Sequence, residues 1–296
     1  MDREPKGEAF IPRPEFIFSA RGRKLQLGIK TRIMGIVNMT PDSFSDGGSY
    51  NALEPAMERC FSMLEAGADI LDIGGESSRP GSQPVSAEEE LERVLPLLEK
   101  IRPETDVFIS VDTCKSKVAE GALKAGADII NDITALRYSP DMAECLGNWD
   151  AGVILMHMRG EPSSMHKLEP SEDILLEVSE GLQLSVDNAV SSGISRDKII
   201  LDPGIGFGKN HKENLELLNR LPHLEKLGMP LLIGTSRKRF IGAILDKPVS
   251  ERIYGTIASS VTAIMKGVHI LRVHDVAEVK DAAKVADAIA LENLDR

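Results

Sequence analysis

Three polar side chains close short apolar runs of this chain: Asp112 ends "VFISVD", Asn131 lies in "DIINDI" and Asp202 ends "KIILD". Carboxylates accept paired hydrogen bonds from planar N–H edges, and a buried Asn offers both a donor and an acceptor. Together they suit an aminopyrimidinone ring, as in a pterin or guanine. A second set is cationic. "RVHD" puts Arg272 and His274 two residues apart, which in a strand points them to the same side. An arginine and a histidine there suit a phosphate or diphosphate. "SRK" brings Lys238 to the start of a helix, where it could lie over a ring or contact a phosphate. One Asp or Asn at a strand end is as readily a cap for the next helix. Polar residues at the ends of almost all the apolar runs point instead to a concave site.

"LDPGIGFGK" (201–209) invites a nucleotide-loop reading. A phosphate-binding loop of that kind needs G-x-x-x-x-G-K-[ST]. Counting back from Gly208 and Lys209, the first glycine falls on Pro203, and Asn210 stands where the hydroxyl belongs. The pattern fails at both ends. Asp202 is then the informative residue, the glycines let the backbone approach a flat ligand, and Phe207 is placed to stack on it or cover it.

The elements that must carry these residues read as short, nearly continuous apolar runs: 32–38, 69–75, 107–113, 128–133, 152–157, 198–204, 230–236 and 269–275. Continuity of that kind belongs to parallel strands buried on both faces. Stretches of helical length lie between most of them, including 87–101, 172–192 and 211–227. Alternation over eight strands favours a closed (β/α)8 TIM barrel over a doubly wound open sheet, since no G-x-G-x-x-G turn follows the first strand. "LEAGADILDIGG", "LKAGADIINDIT" and "MKGVHILRVHD" form a weak repeat, each with a glycine where a helix ends. In a barrel the reactive face lies at the strand C-termini, where these polar residues fall. Residues 1–30 stand apart as an N-terminal extension; "EFIFSARGRKLQLG" suits a β-hairpin under the barrel. Residues 31–296 make a single catalytic domain.

At 296 residues and a net charge of −11, nucleic acid is an unfavourable partner. The start, "MDREPKGEAF", does not read as a signal peptide, and no apolar run reaches the roughly 18 residues of a membrane span. Cys60, Cys114 and Cys145 are far apart without C-x-x-C spacing, which suits reduced thiols and a cytoplasmic chain.

In order along the chain, "MGIVNMTPDSFSDGG", "DIGGESSRPG", "VDTCK", "NDI", "MHMRG", "LDPGIGFGK", "GTSRK" and "RVHDV" resemble the dihydropteroate synthase family, over residues 31–276. The resemblance implies a (β/α)8 barrel and a transferase that joins 6-hydroxymethyl-7,8-dihydropterin diphosphate to p-aminobenzoate with Mg2+, releasing diphosphate in folate biosynthesis. It implies that Asp112, Asn131, Asp202 and Lys238 hold the pterin with Met156 lining its pocket. Asn38, Arg272 and His274 would bind the diphosphate, Asn38 also facing the metal. Ser78, Pro80, Phe207 and Ser236 would form the aminobenzoate pocket. Asp46 and Arg79 would lie on two loops that close during turnover, joining Asp202 and Lys238 as catalytic residues, and Asp72 would support the base of its loop. It also implies a homodimer and a family that is a sulfonamide target. Three residues depart from the usual pattern: Ser78 for Thr, Arg239 for Ser and Arg159 for Gln. Two rivals are a pterin-dependent methyltransferase working with a corrinoid protein, which needs neither "SRK" nor "RVHD" for a diphosphate, and a catalytically silent scaffold barrel.

Overall fold

The structure, a computed structural model, describes residues 13–40, 53–77, 82–161, 165 and 168–293. Two strands, β1 (Phe16–Ala20) and β2 (Arg23–Leu27), form an antiparallel hairpin. The remaining strands are β3 (Arg32–Asn38), β4 (Ile70–Gly74), β5 (Phe108–Asp112), β6 (Ile129–Asp132), β7 (Gly152–Met156), β8 (Ile199–Asp202), β9 (Leu232–Ile233) and β10 (Ile270–Val273). They pair in parallel in the order β8-β7-β6-β5-β4-β3-β10-β9. A parallel bridge between Leu201 and Leu231 closes the ring, with the Leu201 amide donating to the Pro230 carbonyl at 2.9 Å. The described helices are α1 (Leu53–Glu65), α2 (Ala87–Ile101), α3 (Ser116–Lys124), α4 (Met142–Asn148), α5 (Ile174–Ser191), α6 (His211–Asn219), α7 (Arg239–Leu245), α8 (Ile253–Met265) and α9 (Val276–Leu291). The (β/α)8 expectation holds, with the hairpin at the N-terminus.

Period-two alternation sorts the apolar residues into two cores. Outward residues such as Ile33, Leu71, Ile109, Ile130, Val153 and Leu271 pack with the helices. Inward, Met34, Ile70, Phe108, Ile129, Ile154, Ile200, Leu232 and Ile270 form one layer, a residue from each barrel strand. Phe18, Ala20, Leu25 and Leu27 of the hairpin belong to the same cluster. The hairpin therefore plugs the N-terminal end of the barrel. Its turn at Arg21 and Gly22, with φ of 49° and 72°, matches the twist of the two strands. The Arg21 guanidinium pins it to the carbonyls of Leu123 and Ala127, both at 2.7 Å.

Local chemistry explains the helix ends. Ser86 caps α2, accepting from the Glu89 amide, and Glu88, Glu89 and Glu90 complement the dipole in its first turn. The repeat glycines Gly67, Gly126 and Gly267 all adopt left-handed φ, at 86°, 109° and 89°, as the helix-to-strand junctions require. Two expectations are corrected. The 211–227 stretch is not one helix: α6 stops at Asn219 and Leu221–Leu227 is a 3-10 segment, because Pro222 cannot supply an interior amide. The strand expected over 230–236 shrinks to two residues, since Pro230 offers no N–H at its start and Arg237, at φ 59°, turns the chain beyond it.

The N-terminal segment is fastened by a buried charge. Arg13 donates to the Gly28 and Val268 carbonyls, to the Thr31 hydroxyl and to Asp287 of α9, all within 2.7–2.8 Å. Asp287 also accepts from the Thr31 amide at 2.6 Å. His269 adds a second tie, with its ring Nε2 2.9 Å from the Pro14 carbonyl. Removing one partner of a buried ion pair leaves the other uncompensated. Arg13→Ala is therefore expected to lower stability by about 3–5 kcal/mol, read as a fall in the denaturation midpoint; a loss below about 1 kcal/mol, the size of an exposed pair, would refute the clamp.

Candidate active site

Two residues beyond the apolar layer, the inward positions turn polar. Asp72, Ser110, Asn131, Asp202 and Arg272 follow Ile70, Phe108, Ile129, Ile200 and Ile270 on their strands, and Met156 follows Ile154. The same alternation that fills the barrel thus delivers these side chains to its C-terminal mouth. Asn38, Gly74, Asp112 and Asn131 are successive cross-strand neighbours.

Arg272 sits at the centre of this floor. Its Nε donates to Asp72 Oδ2 at 2.6 Å, and a terminal nitrogen donates to Asp112 Oδ2 at 2.7 Å. Asn131 Nδ2 reaches the same Asp72 oxygen at 3.3 Å. Asp72 has no exposed surface and lies on β4 inside the barrel, two residues before the strand ends. It is a partner of Arg272. Burial pushes the Asp112 carboxyl up to about 7; Arg272 opposes this and the Asp72 charge adds to it. Burial likewise raises Asp202, against the Gly204 amide and the nearby Lys238, Arg272 and Lys209 charges.

The loop after β8 wraps one side of the site. The Gly204 amide donates to Asp202 Oδ1 at 2.7 Å. Gly204, Gly206 and Gly208 hold φ of 69°, 84° and 68°. A β-carbon at Gly204 would lie 1.9 Å from the His157 carbonyl oxygen, so only glycine fits. Phe207 packs with Met156, Met158 and Met165 in one apolar wall. Lys238, at the head of α7, places its ammonium 4.1 Å from the Phe207 ring centroid. Burial lowers Lys238 to about 8 although Asp202 and Asp112 favour its charge. Arg159 also braces this loop, donating to the Gly208 carbonyl at 3.2 Å and to Glu177 at 2.8 Å.

Beside this loop, past the ends of β9 and β10, Ser236 Oγ lies 3.0 Å from His274 Nδ1 and accepts the His274 amide at 3.2 Å. Burial, with Arg237 and Arg272 close by, drives the His274 imidazole down to about 3. It is therefore neutral near pH 7 and would meet an anion as a hydrogen-bond donor, not as a second positive charge. Two residues assigned by sequence to different pockets, Ser236 and His274, are thus one hydrogen-bonded pair.

Asp46, Ser78, Arg79 and Pro80 lie outside the described residues. Sequence reasoning missed a group at the root of the loop that carries three of them. Lys115 pairs with Glu76 and, at 2.5 Å, with Glu90, and Glu90 is almost fully buried. The signal was present: Glu90 falls on the buried stripe of α2 with Val94, Leu97, Leu98 and Ile101, where an unpaired carboxylate is not expected. Beside Asp112 a cavity of about 440 Å³ opens between Thr113, Ile133, Arg137 and Met158, the size of a small-molecule site.

Comparisons with known proteins agree with this geometry. The family model described as pterin binding enzyme matches residues 34–274. The dihydropteroate synthase of Synechocystis sp. is 47% identical over 263 residues, 88% of this chain and 91% of that protein. The crystal structure of the Clostridium difficile dihydropteroate synthase in the presence of pteroic acid superposes with a TM-score of 0.84 at 46% identity, covering 89% of this chain and 98% of that one. The Xanthomonas albilineans dihydropteroate synthase with 4-aminobenzoic acid gives 0.87 at 41%, covering 93% and 98%. A barrel whose mouth carries Asp112, Asn131, Asp202, Lys238 and Arg272, matched along its length by such relatives, belongs to the pterin-binding enzyme family, among the dihydropteroate synthases.

Proposed function

We propose that this chain joins 6-hydroxymethyl-7,8-dihydropterin diphosphate to p-aminobenzoate and releases diphosphate. The observation that carries the reading is the convergence on one barrel floor of two carboxylates and an amide, Asp112, Asp202 and Asn131, with the cations Arg272 and Lys238 beside them. The acceptors suit the N–H edge of a pterin. Relatives with 4-aminobenzoic acid or pteroic acid support the two substrate classes.

The bond to be broken joins the pterin methylene carbon to a diphosphate oxygen. An electron-rich dihydropterin delocalises positive charge from that carbon, so the oxygen leaves with the bonding pair before the amine attacks. The aniline nitrogen then supplies the new pair and loses a proton. The protein acts by position and charge. Asp202 and Asp112 stabilise the ring as it becomes cationic, Lys238 and Phe207 fix its face, and Arg272 and His274 receive the departing anion. Ser236 and Phe207 border the aminobenzoate.

Asn38 fits a Mg2+ partner. Mg2+ takes one or two protein oxygens together with phosphate oxygens and water, and Asn38 presents such an oxygen on the face shared with Gly74 and Asp112. Among the described residues no group of three or more His, Cys, Asp or Glu side chains could hold a metal, so Asn38 and the diphosphate would share the ion. When bound, Mg2+ supplies Lewis-acid neutralisation of the leaving diphosphate.

We further read the chain as a cytoplasmic homodimer. Its three cysteines are free, and among the described residues no helix is long and apolar enough to cross a membrane. Ile244, Tyr254, Val285 and Ile289 of α7, α8 and α9 expose apolar surface that a second copy would cover.

A coupled diphosphate assay tests the function: sustained release should need both substrates, and no release, or a requirement for a corrinoid protein, would overturn the reading. Asp202→Ala should cut turnover on the order of 100- to 1,000-fold while the protein stays folded; near-normal turnover would sink the pterin assignment. The Lys238 ammonium is charged below about pH 8, so kcat/KM should fall as pH rises through that value. Lys238→Arg should carry the fall to higher pH; an unchanged alkaline limb would assign it to another group.

A further inference from the structure

Lys209, the lysine that follows the glycine pattern, has no role in the scheme above, yet it is only 8% exposed. Its Nζ donates to the carbonyls of His157, Gly204 and Phe207 at 3.1, 3.0 and 3.1 Å. An ammonium has three N–H donors, so the set is filled. Burial pulls the Lys209 ammonium down to about 7, opposed through space by Asp202 and Glu177; the three carbonyl dipoles favour its charged form. A buried ammonium is costly, and a methionine of similar length would fill the space more cheaply if volume were all that mattered.

The three carbonyls come from two places. His157 follows β7, and its amide donates to the Asp202 carbonyl at 2.8 Å. Gly204 and Phe207 lie on the β8 loop. These two residues are also the ones that face the site: the Gly204 amide holds Asp202 Oδ1, and the Phe207 ring lies under the Lys238 ammonium. Three left-handed glycines give the loop wide backbone freedom, and Lys209 joins the Phe207 amide on the Gly204 carbonyl, Asn214 on the Gly206 amide and Arg159 on the Gly208 carbonyl in holding it to one shape.

We propose that Lys209 is a positioning residue, a built-in cation at the hub of the β8 loop that fixes the Gly204 amide on Asp202 and the Phe207 ring against Lys238. The inference rests on the reading of Asp202 and Lys238 as pterin ligands. Small displacements of such groups cost rate steeply.

The test uses Lys209→Met and Lys209→Ala beside the parent chain, with folding checked by circular dichroism. Lys209→Met should keep its fold and lose about 100-fold in kcat/KM for the pterin diphosphate. Activity of Lys209→Ala should be partly restored by ethylammonium or propylammonium, which donate N–H bonds, and not by tetramethylammonium at equal concentration, which cannot. A Lys209→Met enzyme within about threefold of the parent, or a Lys209→Ala enzyme indifferent to which cation is added, overturns the hub. If Lys209→Met does not fold, the rescue of Lys209→Ala decides. A parent that releases no diphosphate strikes the functional reading instead. The hub is then read from whether propylammonium raises the melting temperature of Lys209→Ala above its value in tetramethylammonium.

Discussion

Arg272, held between Asp72 and Asp112, is the arrangement on which the site depends. Two carboxylates facing one interior would repel each other and favour protonation. A guanidinium between them offsets that repulsion and uses its planar N–H groups to fix their directions. The three residues come from β10, β4 and β5. The network can form only when the last strand returns beside the first barrel strand, so completing the floor and closing the barrel are one event. Removing Arg272 would leave the fully buried Asp72 without its ion pair.

The surroundings weaken charge of both signs. Burial raises Asp112 and Asp202 and lowers Lys238 and Lys209, each opposed by its neighbours. A floor of this kind holds its electrostatic energy in reserve: a ligand that brings N–H donors to the carboxylates and displaces the remaining water strengthens every pair there. The neutral His274 follows the same rule, and so pairs with Ser236 through a hydrogen bond rather than as a charge.

Much of this was legible in the sequence because strands carry their pattern openly. Continuous apolar runs ending in Asp112, Asn131, Asp202 and Arg272 gave both the barrel and the floor, since period two fixes which side chains point inward. What escaped notice involved pairing across distance. Nothing in "DILDIGG" says that Asp72 will meet an arginine 200 residues later, and nothing near Arg13 announces Asp287. The short β9 escaped because Pro230 and Arg237 limit it by backbone chemistry, not by hydropathy. Glu90 escaped because its partner, Lys115, lies on another part of the chain, 25 residues on. The loop residues Asp46, Ser78, Arg79 and Pro80 rest on motif resemblance, which carries no geometry.

The hairpin under the barrel has a consequence for traffic. Phe18, Leu25 and Leu27 close the N-terminal end with apolar side chains packed on a residue from each strand, so the barrel is a cup and not a pipe. Anything seated on the floor beside Asp112 and Asp202 has one way in and the same way out. Whatever binds at the rim, near Phe207 and Ser236, stands in that doorway. The cul-de-sac itself imposes a queue on entry: the deeper guest has to arrive before the doorway is filled.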